Sequence, residues 1–189
     1  MSALTILIIR HAEKPGESWH GSGLTVNGVP DEKSLVIRGW QRAGCWSALF
    51  GAGLGGLDYP APSLIYAADP NATTGDEPSQ RPYETVIPLA ARLGLTPDTK
   101  FAVGQETQLV TTVVGQTGVV LVAWEHKRKL MPFYRLSPMV RSYPVCRRSG
   151  TARDLTSCSV SIARLPKASW SFRQLCPCLL SGDSAKPMG

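Results

Sequence analysis

Leu4-Thr5-Ile6-Leu7-Ile8-Ile9-Arg10-His11-Ala12-Glu13 opens the chain with a short, unbroken apolar run that ends in a cation, an imidazole and a carboxylate. Apolar residues at consecutive positions, rather than alternate ones, suit a strand buried on both faces of a parallel sheet. Two later segments, Ser63 to Ala67 and Val119 to Ala123, carry the same signal. Between the first two strands, Ser34 is placed to cap a helix bearing Leu35, Trp40, Ala43, Trp46, Ala48 and Leu49, which Gly51, Gly53, Gly55 and Gly56 end. Pro82 to Leu93 predicts a second helix, stopped by Gly94. Strand, helix, strand, helix, strand is the order of an α/β fold with a mostly parallel sheet. The Gly-, Pro- and Ser-rich stretch from Pro15 to Lys33 predicts a loop bordering a site.

A chain of 189 residues buries about 70% of its unfolded surface, enough for one core and one domain over residues 1–189. With 43% hydrophobic and 18% charged residues, the composition excludes a disordered chain. The longest apolar run, Gly118 to Trp124, is far shorter than the roughly 20 residues that cross a bilayer. No export signal is apparent, so no membrane partner is expected and a cytoplasmic location is. Cys45, Cys146, Cys158, Cys176 and Cys178 form neither paired metal half-sites nor a disulfide framework, which fits a reducing compartment. The net charge of +6 is unevenly held. Residues 1–126 carry 8 basic and 12 acidic side chains, whereas residues 127–173 carry 11 basic ones and a single acid, Asp154.

Two of the three histidines, His11 and His126, directly follow strand segments. In open α/β sheets, ligands bind at the carboxyl ends of the strands, where turns and helix N-termini present donors. Arg10 beside His11, and Arg81 at a helix start, supply planar donors for an oxyanion such as phosphate. Within such a pocket a neutral imidazole can attack phosphorus while guanidinium groups hold the equatorial oxygens.

The segments themselves are more specific than their spacing. Leu7-Ile8-Ile9-Arg10-His11-Ala12-Glu13-Lys14-Pro15 resembles the Arg-His-Gly/Ala signature of the histidine phosphatase superfamily, also called phosphoglycerate mutase-like. Gly39 to Leu49 resembles its following helix, Ser79-Gln80-Arg81-Pro82-Tyr83-Glu84-Thr85 its Ser-x-Arg-x-x-Glu-Thr segment, and Val119 to His126 its late strand and second histidine. The resemblance implies a three-layer sandwich and a phosphomonoester hydrolase, since the longer insertions of the mutase branch are missing. It makes His11 the nucleophile, with Arg10, Arg81 and His126 binding the phosphoryl group of a small phosphorylated substrate. Leaving-group protonation needs a carboxylic acid. Glu106 is placed like the acid of the mutase branch, with Glu125 as a further candidate; Glu84 is expected to be structural and His20 solvent-facing. No metal or other cofactor is implied.

The last third departs from the family. Residues 128–168 match none of its pattern, and residues 135–169 predict irregular structure, whereas Trp170 to Leu175 and Leu179 to Ser184 resemble the ending of small bacterial members. One choice of codons for Leu155 to Ala163, read in another frame, gives an alternating apolar strand, so two compensating frameshifts account for the break. The competing expectations are an inactive relic of the fold and a basic arm that binds nucleic acid. The arm lacks the aromatic interleaving such surfaces use.

Overall fold

A computed structural model describes residues 3–16, 18–73, 78–125, 159–164 and 170–183. Strand β1 (Leu4–Arg10) takes the middle of a five-stranded sheet, with β3 (Gly118–Trp124) parallel on one side and β4 (Ser159–Arg164) antiparallel on the other. Beyond them lie β2 (Leu64–Ala67), parallel to β3, and β5 (Trp170–Leu175), antiparallel to β4. The sheet order is β2-β3-β1-β4-β5. A strand in that central place is covered on both faces, which accounts for its lack of apolar–polar alternation.

The two faces bury separate clusters. Leu4, Ile6 and Ile8 of β1, with Val120, Val122 and Trp124 of β3, pack against Leu109, Val110 and Val113 of helix α3 (Glu106–Val114). Leu7 and Ile9, with Leu121 and Ala123, pack against Trp46 and Phe50 of α1 (Ile37–Gly51) and Val86 and Leu89 of α2 (Arg81–Leu93). The result is the expected three-layer α/β sandwich.

Helix α2 stops where the sequence predicts, on Gly94, whose φ of 66° is the left-handed conformation that glycine adopts without a Cβ penalty. Helix α1 starts later than predicted. Its cap is Val36, without a side-chain bond, because the Ser34 hydroxyl faces Asp31 and Glu84 instead, at 2.6 and 2.8 Å. One turn on, α1 comes so close to the segment after β1 that a Cβ on Gly39 would lie 2.6 Å from the Glu13 carbonyl oxygen. Only glycine permits that approach.

Within the stretch predicted to be irregular, residues 159–164 pair with β1 along six positions, from Leu4↔Arg164 to Ile9↔Ser159. The rest of residues 128–168, with the frameshift and basic-arm expectations that fall there, lies outside the described residues. The tail returns as predicted, with Leu180 to Asp183 folding against α1. Cys176 is disulfide-bonded while Cys45 and Cys178 are free. This corrects the expectation of uniformly reduced thiols and removes the cysteine argument for a reducing compartment. Spacing along the chain does not report which cysteines meet in space. Among the described residues no helix is long and apolar enough to cross a membrane.

What fastens the tail is ionic. Arg42, fully buried, makes a fork to Glu13 (2.7 to 3.0 Å) and a second fork to Asp183 (2.8 Å to each oxygen). Arg38 adds bonds to Glu13 and to the Ser181 carbonyl. Burial works against the charge on Arg42, but Asp183 and Glu13 outweigh it and hold its pKa above the ordinary value. Burial would likewise raise Asp183, yet the bonds from Arg42 and from the Leu180 amide bring it below the usual carboxylate range. A carboxylate whose pKa falls on folding contributes stability above its unfolded value, about 4, and loses it as pH drops through the folded value. Replacing the cation alone strands two buried carboxylates. Arg42→Met is therefore expected to lower the unfolding free energy by about 3–5 kcal/mol in urea titrations. A loss below about 1 kcal/mol, the range of an exposed pair, would contradict this role.

Candidate active site

The carboxyl ends of β1 and β3 lie side by side, with Arg10 opposite Trp124 in the register. The ladder runs one bond further, from the His11 amide to the Trp124 carbonyl at 3.1 Å. This places His11 at the end of the central strand and Glu125 next to it at the end of the neighbouring one. His11 is 1% exposed. Its Nδ1 lies 2.7 Å from the Ala12 carbonyl oxygen and its Nε2 3.4 Å from Oε2 of Glu125. A carbonyl only accepts, so Nδ1 carries a hydrogen and the neutral ring presents its lone pair at Nε2.

The turn after His11 is fixed from three directions. The Ala12 amide donates to the Thr85 hydroxyl at 2.8 Å, and that hydroxyl donates to the Arg81 carbonyl at 2.7 Å. Thr85 thereby joins the turn after His11 to the first turn of α2. The Val36 amide donates to the Glu13 carbonyl, and the Glu13 carboxylate is held by Arg42. Glu84 is structural, as predicted: its two oxygens take the Leu35 amide at 2.9 Å and face the Ser34 hydroxyl at 2.8 Å. Burial lifts its pKa above the ordinary carboxylate range.

Arg81 heads α2, and its guanidinium donates to the carbonyls of Ser34, at 3.3 Å, and Glu32. Burial lowers its pKa, and Glu125 is the strongest of the acids that oppose the shift. Burial also draws Arg10 down to about 10, again opposed first by Glu125 and then by Glu13. At neutral pH it stays a cation. His11 is lowered by burial and further by Arg10, with Glu125 pulling the other way. Arg10, His11 and Arg81 thus all have Glu125 as the leading acid acting on them.

Of the five residues named from sequence, Arg10 and His11 stand together at the end of β1, and Arg81 heads α2, linked to the turn after His11 through Thr85. Glu106 stands one side chain back: buried at the start of α3, it accepts the Gly104 amide and the Trp124 indole N–H on the same oxygen, at 2.9 and 3.0 Å. His126 lies outside the described residues. His20 lines a cleft of about 370 Å³ with Trp19, Leu24, Val36 and Arg38. Sequence reasoning missed the parts played by Thr85, Glu13 and Arg42. Thr85 sits four residues after Arg81, a spacing that puts both on one helix face, and that was the signal available for it. Among the described residues no three His, Cys, Asp or Glu side chains are grouped to hold a metal.

The tautomer is directly measurable. Nitrogen-15 spectra of the free protein at pH 7 are expected to show His11 neutral and protonated at Nδ1, titrating below the ordinary imidazole value of about 6.5. A ring protonated at Nε2 alone, or an imidazolium persisting above pH 7, would contradict the geometry. Thr85→Val orphans the buried Ala12 amide and is expected to cost about 1–3 kcal/mol in denaturant titrations; an unchanged midpoint would show that the hydroxyl is dispensable.

No protein-family model matches the sequence, and no curated protein matches it either. Solved structures do match in fold. A mycobacterial glucosyl-3-phosphoglycerate phosphatase is 16% identical, with 91% of this chain and 97% of that one covered at a TM-score of 0.55. The protein histidine phosphatase SixA, complexed with tungstate, is 15% identical, with 92% and 97% covered at 0.53. A phosphoglycerate mutase from Plasmodium falciparum is 11% identical, with 92% and 90% covered at 0.50. The strand order, the layers and these likenesses agree that the chain has a phosphoglycerate mutase-like fold.

Proposed function

We propose that the chain is a phosphomonoester hydrolase that works through a phosphohistidine on His11. The observation that carries the reading is a buried imidazole at the end of the central strand, with Nδ1 tied to a carbonyl, Nε2 facing the Glu125 carboxyl, and Arg10 beside it on the same strand. In that arrangement the Nε2 lone pair attacks phosphorus. Arg10 and Arg81 meet the negative charge that spreads over the equatorial oxygens as the bond forms. His126, one residue beyond Glu125, is the fourth member of the phosphate site by its place in the motif. The proton for the leaving oxygen comes from a carboxylic acid, Glu106 or Glu125. The substrate is a small phosphorylated molecule, in keeping with two of the structural neighbours, which are named as phosphatases.

Purified protein is expected to hydrolyse a generic aryl phosphate at roughly pH 5–7, since a neutral His11 persists below the usual imidazole range. His11→Ala should lower turnover by about 10⁴-fold or more, and Arg10→Ala and Arg81→Ala by about 10²–10³-fold each. Undiminished turnover in His11→Ala would end the proposal.

A further inference from the structure

The nucleophilic nitrogen does not face open space. Glu125 Oε2 is 3.4 Å away, where an incoming phosphoryl group must arrive. With Nδ1 committed to the Ala12 carbonyl, a neutral ring opposes a lone pair to a carboxyl oxygen, and two lone pairs at that distance repel unless one proton lies between them. The His11–Glu125 pair therefore holds one proton in the resting site. Its two homes are unequal, because the His11 side chain is 2% exposed and flanked by Arg10, whereas that of Glu125 is 24% exposed. Hydrogen bonds of catalytic groups are often long before substrate binds, and this distance accords with that.

Resting on the phosphohistidine reading, we infer that Glu125 is the general acid and base of the reaction, and that the proton occupying the attack position at Nε2 is the one delivered to the leaving group. An in-line displacement sets the leaving oxygen beyond phosphorus as seen from Nε2. A carboxyl displaced outward by the arriving phosphoryl group ends beside that oxygen. In the first half, the Nε2–P bond forms as the P–O bond breaks, and the departing oxygen keeps the bonding pair and takes the Glu125 proton. In the second half, a water oxygen bonds to phosphorus, its proton passes to Glu125, and the N–P pair returns to Nε2. Glu125 is the acid that acts most strongly on Arg10 of β1 and on Arg81 of α2, so an arriving phosphate competes with it for the same cations. Glu106 is the rival acid, but its placement against Trp124 and Gly104 fits a positioning residue for the end of β3.

The test compares leaving groups. Wild type, Glu125→Gln, Glu125→Asp and Glu106→Gln are assayed with phenyl phosphate, whose phenolate leaves poorly, and with 2,4-dinitrophenyl phosphate, whose phenolate leaves without a proton. Measured over the first turnover, Glu125→Gln should lose about 10²–10³-fold in phenol release from phenyl phosphate and less than about tenfold from the dinitrophenyl ester. With that ester it should accumulate base-stable phosphohistidine, because water is no longer deprotonated. Glu125→Asp should recover part of the phenyl phosphate activity. An equal loss on both esters in Glu125→Gln, or leaving-group selectivity in Glu106→Gln instead, overturns the assignment while leaving the phosphohistidine reading intact. A wild-type protein that releases phenol from neither ester and carries no phosphohistidine overturns that reading, and the Glu125 assignment with it.

Discussion

One buried guanidinium, that of Arg42, ties the loop that follows His11 to helix α1 and to a tail 141 residues further along the chain. Its charge cannot be left unmatched in the interior, so Glu13 and Asp183 must both be present, and each must come from a different part of the fold. Such a network adds little stability over an apolar replacement of the same volume, because the desolvation of three charges offsets most of the attraction. What it fixes is position. Glu13 stands two residues after His11, and the closeness of α1 at Gly39 holds the same turn from the other side. Thr85 completes the frame from α2. Helix, helix and tail therefore settle the orientation of one imidazole.

The electrostatics of the site follow from where that frame puts charge. Arg10 is buried and still cationic at neutral pH, and Arg81 spends part of its donors on loop carbonyls. Both cations, together with His11, interact with Glu125. Burial keeps His11 neutral, so a ring lone pair persists beside the Arg10 cation.

The parts of the fold that the sequence predicts correctly are those governed by local pattern. The unbroken apolar runs of β1 and β3 and the glycine stop of α2 need no knowledge of neighbours. Helix α3 was hidden because six of its nine residues are β-branched valines and threonines, poor helix formers. The burial of Leu109, Val110 and Val113 against the sheet overrides that propensity. Strand β4 was hidden in a basic, serine-rich stretch, and pairing with the exposed edge of β1 is what organises it. Ser34 reads as a cap by type, but the carboxylates of Asp31 in the same loop and Glu84 of α2 claim its hydroxyl. At the site, motifs found Arg10, His11 and Arg81, whereas the Glu125 contact with Nε2 and the Arg42 forks depend on residues far apart in sequence. No local signal encodes such distances.

The central claim is that His11 Nε2 carries phosphate between two half-reactions. Rapid mixing with a labelled aryl phosphate, quenching in base within a turnover, and mapping the label by peptide mass spectrometry test it directly. The account predicts an acid-labile, base-stable phosphate on the peptide containing His11, formed at least as fast as the steady-state rate. Label on any other residue, or turnover without a covalent phosphate on that peptide, would contradict it.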